Sequence, residues 1–229
     1  MSDGGVLRAA RNAAGPGPGA TVTGLEPDPK QRGGVRVALD GASFATVAAE
    51  DVRTLGLAAG AVLSAGAVAA VERRAEAFSA SRAALRILTF RALPSGEIRR
   101  RLVRKGFLAQ AADEAVGALV SAGLVNDHEF ALHYARTRAR RFRYGPGRLA
   151  RDLERLGIGA GEAREAVDAA LELEGVQAVD LLREAAARKL RTLKGLDAAT
   201  RRRKLKIHLL RRGFAVADVI EVVKAAVAG

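Results

Sequence analysis

Arg148, Arg151 and Arg155 recur at i, i+3 and i+7, a spacing that lines one side of a helix with guanidinium groups. A guanidinium is permanently charged and presents a planar fork of donors, so such a stripe suits bidentate contact with phosphates or carboxylates. Arg136, Arg140 and Arg143 make a similar stripe just upstream, and residues 136–155 hold eight Arg against Asp152 and Glu154. The flanking stretches 125–135 and 156–174 are acidic, which gives this part of the chain a basic edge. Arg100, Arg101, Arg104 and Lys105 form a second cluster. Arg201 to Lys204 (Arg202 among them) form a third, with Lys206, Arg211 and Arg212. Spaced positive charge of this kind fits a phosphate backbone or an acidic groove. Any single Arg is equally at home on a solvated helix face, so the reading rests on the clusters jointly. Tyr144, with Phe142, stands beside the Arg-rich run and can either stack on a base or pack between helices.

Residues for catalysis are missing. His128, His133 and His208 are the only histidines, and the first two are five apart, off the i, i+4 spacing of helical zinc ligands. No Cys is present, which excludes disulfides, thiolate metal sites and a Cys nucleophile. The chain contains no G-x-x-x-x-G-K phosphate loop and no G-x-S-x-G elbow. Asp113-Glu114 and Asp152 with Glu154 read as surface carboxylates, not as an acid/base pair. The expectation is a binding protein that is not an enzyme and uses no cofactor or metal.

The partner class follows from where the charge lies. The net charge is +13. Residues 1–78 hold 8 basic and 8 acidic residues, so residues 79–229, with 30 basic and 17 acidic, carry the whole excess. A localised excess of this size favours a polyanion. The 31 Arg against 7 Lys are also what a GC-rich genome produces alongside abundant Ala and Gly. Residues 1–15 lack the continuous apolar run of a signal peptide. The uncharged stretch 55–71 is Ala/Gly-rich and falls short of the roughly 20 strongly apolar residues of a membrane span. A cytoplasmic protein without a membrane partner is expected.

Elements must position these clusters. Residues 1–19 end in Gly15-Pro16-Gly17-Pro18-Gly19 and read as a flexible leader. Val35, Val37 and Leu39 alternate with Arg36 and Ala38, and Asp40-Gly41 follows as a hairpin signal, with Phe44 and Thr46 beyond it. A short helix over 50–57 and a last strand at Val62-Leu63 complete a small β-rich module, 20–70, which must lean on helices to bury its face. Helix is expected from about residue 72. Three segments then share one pattern, a basic amphipathic helix ending at Gly before a large apolar residue: Leu102 to Gly106-Phe107, Leu153 to Gly157-Ile158, Leu209 to Gly213-Phe214. Val116, Val167 and Val223 lie nine residues past that apolar residue each time. First helices are expected over about 79–92, 127–143 and 175–193, and third helices over about 109–121, 160–173 and 216–227. The predicted fold is mainly α: three tandem three-helix repeats (79–124, 125–174 and 175–229) in an elongated curved body, preceded by the β-rich module. Asn126 with Glu129, and Asp197, are candidate helix caps, while Pro94 and Pro146 mark helix starts.

These residues resemble a known family. Gly123-Leu124-Val125-Asn126-Asp127-His128-Glu129-Phe130-Ala131, continuing to Tyr134 and Arg138, is similar to the central motif of RecX proteins. Tyr144-Gly145-Pro146-Gly147-Arg148-Leu149, then Leu153, Gly157 and Ile158, resembles the segment that follows it. Arg91, Glu97-Ile98, Leu102 and Lys105-Gly106-Phe107 match the first repeat, and Arg211-Arg212-Gly213-Phe214 the third. Family members usually have Ser where Pro94 stands, and Ser95 is next in line for the cap. The resemblance covers roughly residues 80–228. It implies a monomeric modulator of the RecA recombinase. Such proteins bind the RecA–single-stranded DNA filament along its groove, inhibit recombinase, ATPase and co-protease activities, and bind single- and double-stranded DNA, so modulating DNA repair, recombination and the SOS response. The competing expectation is a stand-alone DNA-binding protein built from helix-turn-helix-like repeats. Its third helices, rich in Ala, Val, Leu and acids, suit packing better than base reading. A membrane-surface scaffold would need bulky apolar residues that the helix cores already use.

Overall fold

The computed structural model describes residues 19–227. The leader expected over 1–19 falls, but for Gly19, outside the described residues.

Strands β1 (Ala20–Pro27), β2 (Gly34–Leu39), β3 (Ala42–Ala48) and β4 (Val62–Leu63) form one antiparallel sheet in the order β3-β2-β1-β4. The β2–β3 hairpin turns at Asp40-Gly41, whose φ angles of 49° and 82° give the doubly left-handed turn that Asp-Gly favours. Short helix α1 (Ala49–Thr54) follows β3.

Helix α2 spans Ala65–Leu88, so the chain turns helical at residue 65, earlier than the expected 72, and the first helix exceeds 79–92 at its N-terminal end and stops short at the other. Ser64 starts it by accepting the Ala67 N–H at 3.2 Å. The uncharged stretch 55–71 is thereby divided among the connection after α1, β4 and the first two turns of α2. Val68, Val71 and Ala75 of α2 are buried with Val22, Val37, Leu39 and Val47 of the strands. This covers the sheet's apolar face. No helix among the described residues is long and apolar enough to cross a membrane.

The remaining helices are α3 (Ser95–Arg104), α4 (Ala109–Ser121), α5 (Asp127–Phe142), α6 (Pro146–Leu156), α7 (Ala160–Leu173), α8 (Ala178–Arg191), α9 (Ala198–Arg211) and α10 (Val216–Val227). They complete three successive three-helix groups. In each group the second helix ends the same way. The Phe107, Ile158 and Phe214 N–H groups reach the Leu102, Leu153 and Leu209 carbonyls at 3.3, 3.2 and 3.5 Å. Gly106, Gly157 and Gly213 bond one turn back at 2.9, 2.9 and 3.0 Å. This paired pattern is the Schellman stop, and it folds the apolar residue back into the core, where all three are buried. Val116, Val167 and Val223 are buried as well.

Two compact units result. One joins the sheet module to α2, Glu97–Arg104 of α3 and α4, up to Val125. The other takes Leu93–Gly96 and everything from Asn126 on. The core of the second is one cluster running from Ala131 and Leu149 through Val167 and Leu182 to Leu205, Leu209 and Val223.

Caps come partly from close by and partly from afar. Asn126 accepts the Glu129 N–H at 3.0 Å, and Asp197 that of Thr200 at 2.9 Å. Ser95 opens α3, but its N–H and hydroxyl both donate to Asp127, at 2.7 and 2.5 Å. That helix start is therefore satisfied by a carboxylate 32 residues away. Helix α4 has no cap of its own, and the Leu108 N–H before it donates to Glu76 of α2 at 2.9 Å. Asp127→Ala removes both Ser95 partners and an acid from the first turn of α5. It is expected to lower stability by about 1–2 kcal/mol, with Asp127→Asn recovering most of the loss, as read from urea midpoints.

Candidate anion-binding surface

The first basic cluster, in the first unit, converges on one carboxylate. Glu97 accepts from Arg100 at 2.8 Å and Arg101 at 2.7 Å, with Arg104 at 3.8 Å. Burial raises its pKa, but the hydrogen bonds and charges of Arg101 and Arg100 outweigh that and hold the carboxyl below its usual range. Lys105 lies exposed just past α3.

The second cluster is pulled apart. On α5, Arg136 and Arg140 both turn to Glu174, at 2.7 and 3.2 Å, and Arg143 pairs with Glu184 at 2.7 Å. These acids lie 38 and 41 residues from their arginines, at the ends of bonds no local pattern reveals. On α6, Asp152 sits between Arg148 at 3.5 Å and Arg155 at 3.4 Å. Arg151 is exposed, with no carboxylate in pairing range among the described residues. The opposite side of α6, Leu149 and Leu153, is fully buried, as the spacing requires.

Tyr144 closes a ladder of rings and guanidiniums. Phe130 and Tyr134 stack at 6.0 Å, and Arg138 lies 5.0 Å from the Tyr134 ring and 5.2 Å from that of Phe142. Phe142 stacks on Tyr144 at 5.5 Å, and the Arg148 guanidinium lies 3.8 Å over the Tyr144 ring. Phe130, Tyr134, Arg138 and Phe142 are four apart on α5, so one helix stripe builds the ladder. Tyr144 packs against the core and already carries Phe142 and Arg148, so a base would have to displace one of them.

In the third cluster, Arg202 and Lys206 stand one turn apart and exposed on α9, and Arg211 is exposed at its end. None of the three has a carboxylate in pairing range among the described residues. Arg212 turns inward. Its Nη1 donates to the Phe142 carbonyl and, at 3.3 Å, to that of Arg143, which caps the C-terminal end of α5. Its Nε donates to His208 Nε2 at 2.9 Å. Burial first, then the Arg212 and Lys189 charges, pushes the His208 pKa down and keeps the ring neutral.

The junction beside Arg212 is made by backbone. The Gly145 N–H donates to the Arg212 carbonyl at 2.7 Å and the Gly147 N–H to that of Gly213 at 3.1 Å. A Cβ on Gly145 would lie 2.7 Å from the Gly213 carbonyl carbon. The same approach recurs one repeat earlier, where a Cβ on Gly96 would lie 2.8 Å from Gly157 Cα.

Arg188 and Lys189, which the sequence patterns did not single out, stand with Arg143, His208 and Arg212 around a cavity of about 230 Å³. The one local sign of them is a basic last turn on α8. Among the described residues no group of His, Asp and Glu is arranged to hold a metal.

Three family models match the chain, described as the first, second and third three-helix domains of RecX, over residues 80–119, 126–167 and 176–223. The regulatory protein RecX of Pelodictyon phaeoclathratiforme is 31% identical over 131 residues, 57% of this chain and 78% of that one. The regulatory protein RecX of Streptomyces coelicolor is 32% identical over 148 residues, 62% of this chain and 74% of that one. A crystal structure of regulatory protein RecX shares the fold with a TM-score of 0.70 at 23% identity, over 90% of this chain and 99% of that one. RecX from Lactobacillus salivarius gives 0.54 at 21% identity, over 66% and 96%.

Proposed function

This chain belongs to the RecX family of regulatory proteins, and we propose on that ground that it regulates RecA by binding the RecA–single-stranded DNA filament. Binding hinders filament growth and lowers recombinase, ATPase and co-protease activity, which modulates DNA repair and recombination. The protein acts as a cytoplasmic monomer without catalysis of its own. The observation that carries the reading is the presence of all three RecX three-helix domains in order on one chain whose basic excess lies within them. The side chains assigned to the filament are exposed ones: Lys105 in the first unit and Arg151, Arg202, Lys206 and Arg211 in the second, together with Arg155, which shares Asp152 with Arg148. Arg100, Arg101, Arg104, Arg136, Arg140, Arg143 and Arg148 contribute field around them, partly neutralised by Glu97, Glu174, Glu184 and Asp152.

The test is RecA ATPase on single-stranded DNA, with this protein titrated in at fixed salt beside a DNA-only binding control. Inhibition at concentrations well below those that bind bare DNA is the expected result. Tight binding to single- or double-stranded DNA alone, with ATP hydrolysis untouched, would overturn the filament reading in favour of stand-alone DNA binding.

A further inference from the structure

The cavity of about 230 Å³ in the second unit is walled by three elements. Helix α8 supplies Ala185, Arg188, Lys189 and Thr192, which fall at i, i+3, i+4 and i+7 and so share one face. Arg143 comes from the left-handed end of α5, with φ 52°. His208 and Arg212 come from the end of α9.

Its charge is unlike that of the first two basic clusters, which converge on carboxylates. No carboxylate lines it. Arg143 is answered by Glu184 at 2.7 Å, but Arg188 and Lys189 have no carboxylate partner among the described residues. Arg212 is held in place by His208 Nε2 and two backbone carbonyls, so its charge is fixed but not neutralised. The cations act on one another: burial first, and then the Arg148 and Arg188 charges, lower the Arg212 pKa against the opposing pull of Tyr144. Like charges gathered in a half-buried recess repel, and an anion placed among them relieves the repulsion and gains charge-assisted hydrogen bonds.

Size narrows the ligand. The cavity lies below the roughly 300 Å³ at which pockets for organic ligands begin. At about 30 Å³ per water molecule it holds a tetrahedral oxyanion with several waters.

We propose that this cavity is a binding site for one phosphoryl group, gripped by Arg188 and Lys189 of α8 and by Arg212, with Ala185 as its floor. A phosphoryl group is offered both by free phosphate species and by the backbone of a nucleic acid strand, and the chemistry of the grip is the same for both. The site stands without the RecA reading, since nothing in it calls for a recombinase.

The probe is inorganic phosphate, titrated into the full chain at ionic strength held constant with chloride. The readout is the His208 ring resonances by NMR, identified by their loss in His208→Gln. A saturable shift with a midpoint on the order of 1 mM is expected. Arg188→Gln with Lys189→Gln raises that midpoint about tenfold or more. Arg191→Gln with Lys194→Gln, an equal loss of charge nearby, leaves it in place. No saturable shift, the same shift with chloride alone, or equal midpoints in the two double variants would overturn the site. A short single-stranded oligonucleotide then separates the sources. Displacement of phosphate by the oligonucleotide assigns the site to a strand, and failure to displace assigns it to free phosphate species. Because RecA is absent throughout, failure here leaves the filament reading standing, and an inactive ATPase titration leaves this site standing.

Discussion

Gly213→Ala is expected to lower the stability of the second unit by on the order of 3 kcal/mol. Two costs add. Gly213 has φ +84°, a left-handed conformation that costs an L-residue about 1–2 kcal/mol. A methyl group there also runs into the Arg148 backbone nitrogen and lies 2.5 Å from Arg148 Cβ, neither of which can move without shifting the start of α6. That overpacking adds about 1–3 kcal/mol. The damage reaches beyond the turn, because the Arg212 and Gly213 carbonyls hold the Gly145 and Gly147 N–H groups. Gly161→Ala is the control. It lies in the first turn of α7 with open space around it and is expected to gain up to about 0.5 kcal/mol. Chemical denaturation followed by circular dichroism separates them, and a Gly213→Ala midpoint equal to wild type would refute the packed junction.

Arg151→Glu with Arg155→Glu is expected to weaken the inhibition of RecA ATPase by about tenfold or more, without loss of fold. Both side chains point to solvent from α6, away from Leu149 and Leu153. If they meet phosphates, the salt dependence of DNA-containing complexes also flattens, by about 2 in the log–log slope. Arg148, which the sequence pattern groups with them, belongs in a different experiment. Its guanidinium stacks 3.8 Å over the Tyr144 ring, a packing contact that Arg151 and Arg155 lack, so Arg148→Glu removes part of the packing. The triple reversal would therefore mix lost binding with lost stability. An unchanged inhibition curve for the double variant, with a wild-type melting midpoint, would remove α6 from the interface.

The repeat architecture was legible because it is written in short-range signals. A Gly after a basic amphipathic helix stops that helix for reasons local to the backbone, and it does so at Gly106, Gly157 and Gly213 alike. The Asp40-Gly41 hairpin and the Asn126 and Asp197 caps are equally local. The start of α2 is not legible in the sequence because Ala and Gly carry little periodicity, and burial of Val68 and Val71 against the sheet is a tertiary event.

Charge was legible as a total and not as a surface. The fold class, the repeat, the family resemblance and the basic excess beyond residue 79 can be read without a structure, because all depend on residue type and short spacing. Which cations remain available is set by packing between distant segments. That packing brings Glu174 and Glu184 onto the arginines of α5, draws the half-buried Arg212 inward as the cap of that helix, and gathers Arg188 and Lys189 beside it. The reason is range: a guanidinium finds its partner across whatever distance the fold closes, and those partners lie from 34 (Arg140 to Glu174) to 70 residues away along the chain.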